Sequence, residues 1–229
     1  MFKKILNFIF VENKFTVVIR LILLLAIAGG IYEQNWMAVF VSTLAFFLTY
    51  FHLFFAKYDI KIPKEFQILI VVFVFASLFL GEVHSYYERF GWWDDLLHLL
   101  SGIGLGFVGF LILYIFYKSG KFSAPAGIIA MFSFCFALAL GALWEVFEFW
   151  MDELFGLDMQ KARNLEEVYG EFDTRLGVKD TMIDLMMDAV GALIASIWGY
   201  IYLKKGESFK WFDKLVEKFE QSNENLFKK

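Results

Sequence analysis

Cysteine is almost absent: Cys135 stands alone. No internal disulfide can form, and a lone Cys in an apolar run reads as a small core residue. Proline occurs only twice, and charged residues make up just 20% of the 229. Set against 59% hydrophobic residues, 30 Phe and a mean hydropathy of +0.59, that scarcity excludes an ordinary soluble domain and implies several membrane spans. A cleaved signal peptide is not expected either. The first apolar run is interrupted at Glu12, Asn13 and Lys14, and no small-residue cleavage site follows. Gly102-x-Gly104-x-Gly106 is no dinucleotide loop, because no strand precedes it and apolar residues surround it. No paired-cysteine metal signature and no nucleophile–base pair is visible.

What is present is a series of long apolar runs. They predict an all-α, polytopic membrane protein: six transmembrane helices in a single bundle, with short amphipathic surface helices at both termini. The spans fall at about 16–32, 36–55, 66–82, 93–117, 124–150 and 178–203. Phe2, Ile5, Phe8 and Ile9 among lysines make the first surface piece. Phe209, Phe212, Val216 and Phe219 make the second, within a tail of 206–229. Arg20 is close enough to the start of its span to snorkel, and Trp92 and Trp93 are interfacial anchors. Gly102 with Gly106, and Gly191 with Ala195, read as close helix-packing faces.

Six spans put both termini on one side. That side carries 16 of the 21 basic residues, from Lys3 to Lys229, against Arg89, Lys161, Arg163, Arg175 and Lys179 on the other. The positive-inside rule therefore places both termini in the cytoplasm and makes 152–179 an outer loop.

In that orientation three helices bring acids to the outer half of the bilayer. The fourth span opens with Asp94, Asp95 and His98; the fifth ends with Glu145 and Glu148; the sixth begins with Asp180, Asp184 and Asp188. Asp94/His98, Glu145/Glu148 and Asp184/Asp188 are three or four residues apart, so each helix offers a pair on one face. Acids facing lipid are costly, and those faces must turn inward. Asp94, Asp152 and Asp180 stand at helix ends, where Asp often caps or meets water. The deeper acids repel one another and must share protons, bind a cation or stay hydrated. Oxygen ligands with one imidazole suit Mg²⁺, Mn²⁺, Ca²⁺ or Zn²⁺. The expected metal ligands are Asp94, His98, Glu145, Glu148, Asp184 and Asp188.

The same residues carry a resemblance. Asp94-Asp95-Leu96-Leu97-His98, Trp144-Glu145-Val146-Phe147-Glu148 and Asp180 through Ala192 resemble the YjdF-type inner-membrane proteins over about Trp92 to Trp198. More remotely, the layout is similar to that of the VanZ-like proteins. Glu148 and Asp188 depart from that second pattern, in which amides tend to occur, and this favours the YjdF-type assignment. The resemblance implies an inner-membrane location and no particular activity.

The function expected is recognition of, or metal-assisted chemistry on, a lipid or cell-envelope head group, with Arg163, Arg175 and Lys179 near an anionic group. A proton- or cation-coupled transporter and a non-catalytic assembly protein are the alternatives. The bilayer is the expected partner, and neither an organic cofactor nor nucleic acid is expected.

Overall fold

The computed structural model describes residues 14–156, 158–161 and 175–228. It is all-α, with six helices long and apolar enough to cross a membrane: Lys14–Tyr32, Ala38–Ala56, Lys64–Val83, Trp93–Lys118, Ala126–Phe155 and Leu176–Lys205. The N-terminal surface piece with Phe2, Ile5, Phe8 and Ile9, and Arg163 of the outer loop, lie outside the described residues. The chain clusters into two compact units, residues 1–90 with 217–224 and residues 91–216 with 225–229.

The first unit holds α1 (Lys14–Tyr32), α2 (Trp36–Leu48), α3 (His52–Ala56), α4 (Lys64–Val74) and the short α5 (Tyr86–Arg89). Asn35 starts α2, its side-chain oxygen accepting from the Ala38 N–H at 3.1 Å, which satisfies a donor the helix cannot. Ile19, Leu23, Ala45, Val71, Val74 and Phe79 form the core.

Two features depart from the expected spans. The second span is not α-helical throughout: residues 49–51 form tighter turns between α2 and α3. The third continues α4 through π-helical turns, Phe75–Val83. Arg20 meets the turns at Thr49. Its side chain is 0% exposed and does not snorkel. Nε donates to the Thr49 hydroxyl at 2.8 Å and an Nη to the Thr49 carbonyl at 3.1 Å, with the guanidinium 3.7 Å from the centre of the Tyr50 ring. The carbonyl end of a helix carries partial negative charge and lacks donors, so a cation there costs less than the same cation in lipid.

The second unit is built on three long helices: α6 (Trp93–Lys118), α7 (Ala126–Phe155) and α8 (Leu176–Lys205). A 30-residue helix is about 45 Å long against a hydrocarbon core of about 30 Å, so α7 and α8 are long enough to reach past it. α7 continues five residues beyond the expected 150 and stops at Gly156, whose φ of +64° is left-handed and whose N–H bonds the Asp152 carbonyl at 2.9 Å. Asp152, placed at the start of the outer loop by sequence, is therefore helical.

Helix spacing is set by glycine. A Cβ at Gly102 would strike the Asp188 carbonyl, and one at Gly191 the Leu99 carbonyl. Gly106 faces the Ala195 methyl, and its own carbonyl accepts from the Ser133 hydroxyl of α7 at 2.5 Å. α6 and α8 thus meet backbone to backbone, a contact open only to the smallest residues.

Further along, Phe107, Phe110, Trp198 and Tyr202 surround Phe212 of α9 (Lys210–Ser222). Phe212 and Val216 are buried within the protein, whereas Phe209 and Trp211 stay exposed.

Candidate functional site

The surfaces of α7 and α8 reverse the pattern of a water-soluble protein. On α7, Trp144, Val146, Phe147, Phe149 and Trp150 are exposed while Glu145 and Glu148 are buried. On α8, Met182, Met186, Val190, Leu193 and Ile197 are exposed while Asp184 and Asp188 are buried. Apolar outside and acidic inside is what lipid as solvent demands.

The acids converge on one imidazole. His98 of α6 is 7% exposed, Glu145 of α7 3%, and Asp184 and Asp188 of α8 2% and 1%. His98 Nε2 stands 3.7 Å from Asp94 Oδ1, 3.9 Å from Glu145 Oε1 and 3.9 Å from Asp184 Oδ1. Three carboxylate oxygens, one from each long helix, therefore ring a single nitrogen, and none is at hydrogen-bond distance. The separations suit donor atoms that share a cation, since ligands about 2.1–2.5 Å from an ion lie roughly 3–5 Å from one another. One ligand atom each of Asp94, His98 and Asp184 lies within 4.8 Å of the others.

The far side of the ring is occupied. Nδ1 lies 3.3 Å from Asp188 Oδ2, and the Ser101 hydroxyl is 2.6 Å from Asp188 Oδ1 and 2.8 Å from the His98 carbonyl. That hydroxyl has one proton and donates to one of them at a time. Gly141 of α7 makes room for Asp188, because a Cβ there would collide with its carboxylate. Asp188 thus holds the imidazole from behind.

Glu148 has its own donor, the Trp144 indole N–H at 2.7 Å. Glu145 differs. Both its oxygens are sealed from solvent without a hydrogen-bond partner, as are Asp184 Oδ2 and Asp180 Oδ2. The polar neighbours of Glu145 are His98 and the Thr181 hydroxyl, which itself accepts from the Gln160 amide at 3.0 Å. Buried carboxylates in this state are strongly unfavourable unless a cation or proton compensates them.

All six expected ligands thus lie on the three helices of the second unit and are buried or half-buried. Asp94, His98 and Asp184 offer atoms within 4.8 Å of one another and Glu145 Oε1 stands beside His98 Nε2, while Glu148 and Asp188 are engaged by Trp144 and by His98 with Ser101. Other residues stand outside the cluster. Asp152 accepts from the Met159 and Gln160 N–H groups at 2.7 and 3.0 Å, His84 lies against Phe79 in the first unit, and Arg175 and Lys179 are exposed. Ser101 and Gly141 were not singled out from sequence, and Asp180 was read there as a helix-end acid. Ser101 lies three residues after His98 and Asp180 four before Asp184, so helical spacing was the available signal.

Long helices that hide acids and display aromatics define a multi-pass helical membrane protein. Within that class, the chain belongs to the family described as Predicted membrane protein (DUF2238), which matches residues 15–205. It is 27% identical over 156 residues to an uncharacterized protein of Thermotoga maritima, covering 66% of this chain and 69% of that one. No solved structure matches it.

Proposed function

We propose that this protein, a YjdF-type inner-membrane protein with both termini cytoplasmic, holds a divalent cation between α6, α7 and α8. Asp94, His98, Glu145 and Asp184 supply the donor atoms. Asp188 is the positioning residue that orients the His98 ring, in the way a metal-bound imidazole passes its second N–H to a carboxylate. Glu148, held by Trp144, adds negative charge beside the donors. The carrying observation is His98: Nε2 faces three carboxylate oxygens at 3.7–3.9 Å while Nδ1 is held by Asp188.

The cation serves recognition of, or chemistry on, the polar head group of a lipid or cell-envelope precursor in the outer leaflet. A divalent ion polarises phosphoryl or carbonyl oxygens and activates a bound water. The surrounding acids lie about 2–18 Å from the near ends of their helices at 1.5 Å per residue, a depth reached by head groups and not by soluble macromolecules. Conduction across the bilayer is less well supported. Beyond the acids, the buried positions of α6 and α8 are glycines, alanines, aromatics and Leu111, with Ser196 bonded to its own helix, a packed seam in place of a polar path.

The test is metal content. Protein purified in detergent is stripped with chelator, equilibrated with Mn²⁺ and counted by mass spectrometry, with Glu145→Gln and Asp184→Asn alongside. Stoichiometric metal in the parent that is lost in both variants supports the reading. A parent that binds none refutes it, and proton sharing among the acids takes its place.

A further inference from the structure

A single ion leaves part of the pocket unexplained. With Asp94 Oδ1, Glu145 Oε1, Asp184 Oδ1 and His98 Nε2 turned to one cation, Glu145 Oε2, Asp184 Oδ2 and Asp180 Oδ2 remain. Each is sealed from solvent; Asp184 Oδ2 and Asp180 Oδ2 lack a hydrogen-bond partner, and Glu145 has only the Thr181 hydroxyl as a neighbouring donor. Glu145 and Asp184 are themselves buried and Asp180 is half-buried.

We infer that the pocket takes a second divalent cation, bridged to the first by the Glu145 and Asp184 carboxylates and held at its outer side by Asp180. The inference rests on the cation site proposed above and adds a second ion to it.

Three observations point the same way. Asp180 and Asp184 are four apart on α8, and residues so spaced are neighbours on one helix face. Asp184, Asp94 and Glu145 are acids whose charges act on Asp180, opposed by that of Lys161. A carboxylate offers two oxygens, and those of Glu145 and Asp184 divide in the required way: Oε1 and Oδ1 face His98, leaving the others for a neighbour. Paired ions in such sites stand about 3.5–4 Å apart, a distance carboxylate bridges span.

Charge agrees. Glu148 and Asp188 have donors of their own in Trp144, His98 and Ser101. The other four acids, Asp94, Glu145, Asp180 and Asp184, carry four negative charges that two divalent ions would balance, while Glu148 keeps its charge against a neutral donor and Asp188 faces His98. One ion would leave two negative charges among apolar helices, which is unfavourable. Lys161 is the basic residue near Asp180 and is the competing counter-ion. The second ion has only oxygen donors and so selects Mg²⁺, Mn²⁺ or Ca²⁺, whereas the first, with its imidazole, also accepts Zn²⁺.

The experiment uses the full chain in detergent and Mn²⁺ as the probe. Equilibrium dialysis gives the number bound, and electron paramagnetic resonance gives the coupling between ions. Two Mn²⁺ per chain, with the broadened spectrum of a coupled pair, support the inference. Asp180→Asn is then expected to bind one, with the simple six-line spectrum, and Asp180→Glu to restore the pair. One uncoupled Mn²⁺ in the parent overturns the second ion and leaves the first reading standing. No bound Mn²⁺ overturns both. Two ions retained in Asp180→Asn remove Asp180 from the site and overturn the bridged arrangement. Loss of both from an Asp180→Asn that melts normally overturns it as well.

Discussion

Asp188→Asn removes one negative charge from behind the His98 ring and leaves an oxygen in nearly the same place. In the parent, Asp188 Oδ2 is 3.3 Å from His98 Nδ1 and Oδ1 is 2.6 Å from the Ser101 hydroxyl. The amide oxygen can still accept from one of these groups, so the ring stays roughly oriented but becomes a weaker donor to a cation at Nε2. Replacing such an outer carboxylate typically weakens metal binding 10- to 100-fold, which is about 1.4–2.7 kcal/mol. Asp184→Asn, by contrast, removes a donor facing the ion and should abolish binding over the same range. The assay is titration of detergent-solubilised protein with Mn²⁺, following the free ion by electron paramagnetic resonance, with a melting curve to confirm folding. Unchanged affinity in Asp188→Asn would refute the positioning role. A loss as complete as that of Asp184→Asn would make Asp188 a ligand itself.

Other expectations follow from packing. Gly102→Ala drives a methyl into the Asp188 carbonyl; overpacking of this kind costs about 1–3 kcal/mol, so the melting temperature in detergent should fall and Mn²⁺ affinity with it. Arg20→Met strips the Thr49 carbonyl and hydroxyl of their donor, at about 2–3 kcal/mol, and should lower the melting temperature while the number of bound ions is unchanged. Trp144→Phe keeps an aromatic ring but deletes the donor to Glu148, costing about 1–3 kcal/mol; a melting temperature equal to the parent's would mean that Glu148 is not held as described. A green fluorescent protein fused after Lys229 should fluoresce, as cytoplasmic fusions do, and a dark fusion at normal expression would reverse the orientation drawn from the lysines.

The spans and the acid pairs could be read from the chain because both are local signals. A run of apolar residues long enough to cross hydrocarbon needs no partner to be recognised, and Glu145 with Glu148 shares a helix face by spacing alone. Arg20 shows where local reading stops. A cation near a span's start satisfies the snorkelling pattern, and only the three-dimensional placement of Thr49 turns it inward. The division of the second span has the same origin, since the sequence around Thr49 lacks proline and contains no unusual run of polar residues. Asp180 was assigned to a helix end, as its position near the start of the span suggested. Its Oδ2 is nonetheless sealed from solvent. Gly141 carried no signal at all, because its role is to leave space for an acid 47 residues later in the chain.

The central claim is that His98 Nε2 and carboxylates from three helices share a cation. Mn²⁺-loaded protein should show nitrogen hyperfine coupling from one imidazole in pulsed electron paramagnetic resonance, and His98→Gln should abolish it. Bound Mn²⁺ with no nitrogen coupling, or a coupling that survives His98→Gln, would contradict the account.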